Sequence, residues 1–201
     1  MSASIPPLYF IRHGETDWNK QGLIQGTIDT DINATGVAQA IAVARALQPM
    51  HDELLAYDFV CSPQHRAQHT MRIICEFLPR DFLSVRTDPR VCELGFGIWE
   101  GRPFWELKDN PTYPADPEGH YEWRPPGGES YADGVARVDG FVRSLTKPTL
   151  IVAHGAVGRC LIGYVCGLPG PQIAHLSTPQ GCYCKLEDGK AQWIDAMPVT
   201  T

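Results

Sequence analysis

The sequence lacks an excess of positive charge. Its 201 residues include 17 lysine and arginine residues against 23 aspartate and glutamate residues, so the formal net charge is −6. General nucleic-acid-binding proteins usually carry a basic face, and this composition argues against nucleic acid as a partner. A small anionic substrate stays possible, because a pocket can be locally positive in an acidic protein.

Patterns for metals, membranes and nucleotides are also missing. The seven cysteines are an odd number without a C-x-x-C pair, which argues against a zinc site and against a disulfide framework. No apolar run is long enough to span a bilayer, and residues 1–7 lack a signal-peptide pattern. The absence of G-x-x-x-x-G-K-[ST] excludes a P-loop nucleotide hydrolase. We therefore expect a cytoplasmic protein with no membrane partner, no metal and no cofactor.

What is present is an alternation of short apolar runs with amphipathic stretches. Such alternation predicts a three-layer α/β/α sandwich with a mostly parallel central sheet, in a single domain over residues 1–201. The predicted strands are residues 8–11, 58–61, 83–87, 149–153 and a last one near 183–186. The predicted helices are residues 34–47, 66–78 (with Pro79 ending it), 130–145 and 156–165.

The stretch 99–128 interrupts this alternation. It combines six prolines with a series of large aromatic residues that includes Trp99, Trp105, Tyr113, Tyr121 and Trp123. Aromatic content this high is not typical of a linker, so we expect an ordered excursion with little regular structure near the functional site. The rings could line a substrate lid or pack a small satellite core, and the sequence favours neither.

Chemically useful side chains follow several of the predicted strands. Arg12 and His13 come directly after the first, Arg66 begins the helix beyond the second, and His154 follows the strand at 149–153. Ligands of parallel α/β sheets collect beyond the carboxyl ends of the strands. A nucleophile, cationic donors and a proton donor such as Glu93 are what phosphoryl transfer through a protein group requires.

Five ordered motifs strengthen this interpretation. They are residues 10–16 (FIRHGET), 62–67 (SPQHRA), 93–101 (ELGFGIWEG), 126–130 (PGGES) and 152–155 (VAHG). Together they resemble the histidine phosphatase superfamily, the phosphoglycerate mutase-like proteins, over almost the whole chain. One R-H-G would be weak by itself, whereas the ordered set is specific.

The resemblance implies a role for each matching residue. His13 would be the nucleophile that becomes phosphohistidine, and Glu93 would act first as general acid and then as general base. No metal is implied. The implied phosphate-binding residues are Arg12, Arg66, His154 and Asn19. Gln25 and Gly155 are candidate substrate contacts, although a polar turn residue is nearly as good an interpretation of Gln25.

Three functions remain compatible with these residues. A phosphomonoester hydrolase acting on a small phosphorylated metabolite is favoured, because the segment between the 93–101 motif and His154 carries few cations to hold a bisphosphate. A phosphoglycerate mutase-type phosphotransferase is the alternative. A non-catalytic protein that binds phosphorylated ligands on the same fold is the third, although it would need neither nucleophile nor acid. Monomer and homodimer are both open.

Overall fold

The centre of the structure, a computed structural model that describes residues 5–78 and 80–196, is a six-stranded mixed sheet. The predicted helix end at Pro79 and both chain termini lie outside the described residues. The strands are β1 (Leu8–Arg12), β2 (Asp58–Cys61), β3 (Arg86–Thr87), β4 (Thr149–Ala153), β5 (Cys182–Glu187) and β6 (Lys190–Asp195). Their order is β3-β2-β4-β1-β5-β6. The first four in this order are parallel, and β5 and β6 are antiparallel.

Helices cover both faces of the sheet. They are α1 (Asp17–Gln21), α2 (Ala34–Leu47), α3 (His51–Leu54), α4 (His65–Phe77), α5 (Phe104–Lys108), α6 (Pro117–Glu122), α7 (Tyr131–Val142), α8 (Gly155–Val165) and α9 (Gly170–Ile173). Short 3-10 turns lie at Gln48–Met50, Phe82–Ser84, Pro89–Val91 and Gly97–Trp99. No helix in the described ranges has the length and apolar character needed to cross a membrane.

The apolar runs become central strands because both of their faces are covered. In β1, Leu8 and Phe10 join the core beneath α7 and α8, while Tyr9 and Ile11 join the core beneath α2 and α4. Successive side chains of a strand point to opposite faces, so a strand between two helical layers is apolar throughout. All five residues of β4, between β1 and β2, are buried. The three-layer prediction is confirmed.

One predicted strand was wrong in its extent. Residues 83–87 were expected to form a strand, but only Arg86–Thr87 pair with β2, and a 3-10 turn precedes them. The side chain of Asp81 accepts a hydrogen bond from Leu83 N at 2.9 Å and begins that turn. Leu83 is 90% exposed, so no burial draws this apolar residue into the edge of the sheet.

The helix predictions agree to within a few residues. The helix predicted to run to residue 145 ends at Val142, and the next one begins at Gly155 rather than Ala156. A capping box begins α7, because Ser130 Oγ accepts from Asp133 N and the Asp133 carboxylate accepts from Ser130 N.

The aromatic residues of the excursion at residues 99–128 contribute both to a small satellite core and to the lining of a cavity. Trp99 is buried in a small separate core with Ile24 and Leu107, against which Tyr113 and Trp123 pack. Both of these outer rings also line a cavity. The stretch holds more helix than expected, since α5 and α6 fall within it.

Candidate active site

His13 lies immediately beyond β1, at the carboxyl edge of the sheet. Its backbone N–H donates to Ala153 O at 2.9 Å, which joins the ends of β1 and β4. The ring is 1% exposed, and its Nδ1 lies 2.8 Å from Gly14 O. A carbonyl oxygen can only accept, so Nδ1 carries the proton and Nε2 keeps its lone pair. This tautomer is the one required of a nucleophilic Nε2.

His154 stands beside His13, with ring centroids 5.1 Å apart. Arg66 Nε donates to His154 Nδ1 at 3.1 Å. Because a guanidinium only donates, the ring proton of His154 lies on Nε2, from which it is donated to Ser62 Oγ at 2.7 Å. Both histidines are therefore held in defined and opposite tautomers.

Electrostatics keep this histidine pair uncharged. Burial lowers the pKa of His13 well below its usual value, and the nearby Arg12 and Arg66 lower it further. Burial, then Arg66 and then His13, likewise lower the pKa of His154. Desolvation and neighbouring positive charge both disfavour the imidazolium. At neutral pH, His13 thus offers a free lone pair rather than a third positive charge.

Arg66 is fully buried and connects the site to the loop after α1. Its Nη1 donates to Ile28 O and its Nη2 to Gly26 O, both at 2.9 Å, in addition to the bond to His154. All three guanidinium nitrogens therefore have protein partners. Burial is the first cause that lowers the pKa of Arg66, with Glu93 acting in the opposite direction.

Arg12, at the last position of β1, has a donor to spare. Its Nη1 donates to Thr178 O at 2.9 Å, whereas its buried Nε has no hydrogen-bond partner. A Cβ added at Gly155 would lie 3.4 Å from Arg12 Cζ, so a larger residue there would crowd the guanidinium. A buried, unsatisfied charged donor is energetically costly, and an anion would satisfy it.

Glu93 is bound to the start of α8 rather than free in a loop. Its Oε2 accepts from Ala156 N at 3.1 Å, and its Oε1 accepts from Val157 N at 2.9 Å and Leu94 N at 3.0 Å. The N–H groups of Ala156 and Val157 have no partner within α8, so the Glu93 side chain completes the start of this helix. Arg137 fixes the preceding turn by donating to Cys92 O at 2.8 Å.

Asn19 and Gln25 complete the set at the rim. Asn19 Oδ1 accepts from Thr16 N at 3.2 Å, and Gln25 Oε1 accepts from Thr16 Oγ1 at 3.0 Å. Thr16 also forms the capping box at the start of α1. The same short turn therefore orients both amides.

A cavity of about 280 Å³ opens beside these residues. Six of the eight residues proposed from the sequence line it: Arg12, His13, Asn19, Gln25, Glu93 and Gly155. Arg66 and His154 are 0% exposed and are not among the residues that line it. Within the described ranges, no group of three or more His, Cys, Asp or Glu residues is arranged to hold a metal ion.

The sequence did not single out three residues that shape the cavity. Thr178 accepts from Arg12, and Gln180 Nε2 donates to both His13 O and Asn19 Oδ1 at 3.0 Å. Arg159 lines the cavity from α8. Thr178 and Gln180 lie between α9 and β5 in a turn without a motif, but Arg159 stands one helical turn beyond Gly155, a spacing that could have revealed it.

Paired histidines and arginines at the carboxyl edge of a parallel α/β sheet define a class of phosphoryl-transfer enzymes. A family model described as "Histidine phosphatase superfamily (branch 1)" matches residues 8–196. The chain belongs to that superfamily, and the resemblance inferred from the motifs is confirmed.

Relatives within the superfamily include both phosphatases and mutases. An "Adenosylcobalamin/alpha-ribazole phosphatase" of Escherichia coli (strain K12) is 33% identical over 190 residues, covering 90% of this chain and 89% of the relative. A "2,3-bisphosphoglycerate-dependent phosphoglycerate mutase" of Beijerinckia indica is 31% identical over 188 residues, covering 87% of each. A solved mycobacterial glucosyl-3-phosphoglycerate phosphatase with VO3 has a TM-score of 0.79 and 27% identity, covering 94% of this chain and 96% of that one.

Proposed function

We propose that this protein hydrolyses phosphomonoesters of small metabolites through a phosphohistidine at His13, without a metal ion, and that residues 1–201 form one catalytic domain. The observation that carries the proposal is the hydrogen bond from His13 Nδ1 to Gly14 O, which leaves the Nε2 lone pair unprotonated. The phosphatases among the relatives support hydrolysis.

The reaction takes place in two displacements. In the first, the His13 Nε2 lone pair forms a bond to phosphorus while the ester P–O bond breaks, and the Glu93 carboxyl group gives its proton to the departing alkoxide. In the second, Glu93 takes a proton from water, the water oxygen bonds to phosphorus, and the N–P bond breaks. Inorganic phosphate leaves, and His13 and Glu93 return to their initial states.

The phosphoryl oxygens need positive donors during both displacements. Arg12 has an unsatisfied Nε for this purpose, and Asn19 lines the same part of the cavity. Arg66 contributes its positive charge, which acts on His13. The ring of His154 lies beside the ring of His13. His154 Nε2–H donates a hydrogen bond to Ser62 Oγ. His154 must give up this hydrogen bond before it can donate one to a phosphoryl oxygen.

A mutase is the second candidate, because a mutase is among the relatives. Such an enzyme must retain a bisphosphate, which requires additional cations around the cavity. The excursion contributes none of its three cations to the lining, since Arg102 and Lys108 lie over the rings of Trp99 and Phe104, and Arg124 pairs with Asp133. This arrangement favours transfer to water.

The test is phosphate release from a panel of monoesters in the presence of EDTA. We expect release by the wild type and by His51→Ala, an exposed control, but none by His13→Ala. Isomerisation of 3-phosphoglycerate that depends on 2,3-bisphosphoglycerate, without net release, would make the protein a mutase. Substrate binding without turnover would favour the non-catalytic binding protein, and release only when a metal is added would contradict metal independence.

A further inference from the structure

Aromatic side chains line much of the active-site cavity. Beyond His13 and Arg12, the ring-bearing residues that line it are Phe96, Phe104, Tyr113, His120, Trp123 and Tyr131. Tyr113 contacts Trp123 at 5.1 Å and His120 at 4.9 Å between centroids, both edge-to-face. His120 in turn contacts Tyr131 at 5.7 Å. These four rings thus form one connected surface, the aromatic wall.

This aromatic wall is held in place by contacts within the protein. Tyr113 and Trp123 pack against the small core of Ile24, Trp99 and Leu107, and the Tyr113 hydroxyl is hydrogen-bonded to His120 Nε2. A ligand that meets a fixed surface loses less affinity to the ordering of side chains. The wall is accordingly suited to select among leaving groups by shape.

The rings of the aromatic wall carry no charge, but a cation lies beside them. Burial, then His175 and Arg159, lower the pKa of His120 to about 4, so this ring is neutral near pH 7. Glu129 is paired with Arg137 at 3.2 Å. Arg159 remains a cation, because both of its acceptors are neutral: the Tyr131 hydroxyl at 2.7 Å and Ala174 O at 3.0 Å. The rings therefore offer uncharged aromatic faces beside a positive charge, which favours a flat partner ring without positive charge of its own.

The cavity is large enough for such a partner. Its volume is about 280 Å³, whereas a dry apolar cavity of about 150 Å³ accommodates a benzene ring. With a phosphoryl group beside His13, the rest of the cavity would keep a volume comparable to that of a benzene-sized cavity.

We infer that the aromatic wall is a subsite for the leaving group, and that it selects phosphomonoesters whose alcohol carries an uncharged aromatic ring. This inference rests on the proposed phosphatase function. The ring would lie against Tyr113 and Trp123 while the ester oxygen points inward to Glu93.

Three esters that leave as primary alcohols test the selection: 2-phenylethyl, 2-cyclohexylethyl and butyl phosphate. Because their leaving oxygens are alike, differences in kcat/KM report binding of the alcohol rather than ease of bond cleavage. We expect 2-phenylethyl phosphate to exceed both others at least tenfold. Tyr113→Leu and Trp123→Leu should reduce this ratio to about threefold or less. Trp105→Leu is the matched control, because Trp105 is 63% exposed and absent from the lining.

Calorimetric binding to His13→Ala separates the two proposals. A tenfold tighter Kd for 2-phenylethyl than for butyl phosphate supports the subsite, even if the wild type hydrolyses none of the esters, in which case only the phosphatase function fails. Hydrolysis with equal kcat/KM and equal Kd for all three overturns the subsite and leaves the function standing. Equal values for the phenyl and cyclohexyl esters would also overturn it, because they indicate selection for bulk instead of an aromatic face.

Discussion

Arg66 Nε donates a hydrogen bond of 3.1 Å to His154 Nδ1. The two residues are 88 positions apart, in α4 and at the end of β4, and both are fully buried. This one contact sets the tautomer of His154 and adds to the lowering of its pKa. It also places a permanent positive charge near His13, whose pKa it lowers, and that charge would stabilise the negative charge that develops on the phosphoryl group.

Arg66→Lys should lose both activity and stability. A lysine ammonium cannot reach His154, Gly26 O and Ile28 O together in the geometry of the guanidinium, so buried acceptors are left without donors. We expect kcat/KM to fall about 100-fold or more and the free energy of unfolding to fall by about 2–4 kcal/mol. Arg72→Lys, on the exposed side of the same helix, is the control for urea denaturation and kinetics; equal effects would contradict a special role for Arg66.

Glu93→Gln should show a dependence on the leaving group. The amide oxygen can still accept from one N–H at the start of α8, but the proton needed by a departing alkoxide is lost. We expect kcat to fall about 10²–10⁴-fold for alkyl phosphates and much less for p-nitrophenyl phosphate, whose leaving group needs no proton.

Glu100→Gln provides the matched control for this variant. Glu100 also accepts backbone hydrogen bonds, from Thr27 N and Phe96 N at 2.9 and 3.0 Å, but it does not line the cavity. Any loss in this variant should be the same for both kinds of ester. An equal loss for both esters in Glu93→Gln would make that residue structural rather than the acid.

How far the sequence predicted the site depends on the distance between partners along the chain. His13 and the start of α8 were predictable, because each follows an apolar run that is buried on both faces. The same logic failed at residues 83–87, where an apolar composition lies at an exposed edge. A local apolar run predicts a buried strand only where helices cover both faces of the sheet.

Long-range contacts of the site were not predictable in this way. The donation from Gln180 to His13 O spans 167 positions and comes from a turn without any motif. Likewise, the hydrogen bonds that Glu93 accepts from α8 depend on how the loop that carries Glu93 packs. Arg137 holds this loop by donating to the backbone carbonyls of Arg90 and Cys92. Backbone acceptors leave no mark on the sequence, so these contacts required the folded chain.

Gln180→Glu should impair catalysis without unfolding the protein. The substitution removes the amide donor and places carboxylate oxygens against His13 O and Asn19 Oδ1. We expect kcat/KM to fall about tenfold, with a change in Tm of no more than a few degrees. Gln172→Glu, at an exposed position of α9, adds the same charge as a control. Wild-type kinetics in Gln180→Glu would show that this residue does not position the site.

Stability should fall as the pH drops below about 6.5. In the unfolded chain histidines bind a proton near that pH, whereas the lowered pKa values of His13 and His154 keep them neutral in the folded state. The unfolded state then binds more protons, and the free energy of unfolding decreases by up to about 1.4 kcal/mol per pH unit for each such histidine. Urea titrations at pH 7.5, 6.5 and 5.5 measure this slope.

His13→Gln should flatten that slope by about one proton, while His51→Gln, at an exposed position, should leave it unchanged. A slope that is the same in all three proteins would indicate that His13 is protonated in the folded state at these pH values. That outcome would also remove the free lone pair on which the nucleophile depends.

Gly14→Ala should destabilise the protein by about 2–4 kcal/mol. A Cβ at this position would lie 2.3 Å from Gly36 O, so β1 and the first turn of α2 could no longer approach each other. Gly140→Ala is the matched substitution, because a Cβ there meets no atom within 4 Å and Gly140 lies inside α7. It should stabilise by about 0.5–1 kcal/mol, since alanine has the higher helix propensity. Urea denaturation of both variants measures the two changes. If Gly14→Ala leaves the free energy of unfolding unchanged or raises it, the contact between Gly14 and Gly36 is not what holds the nucleophile's turn against α2.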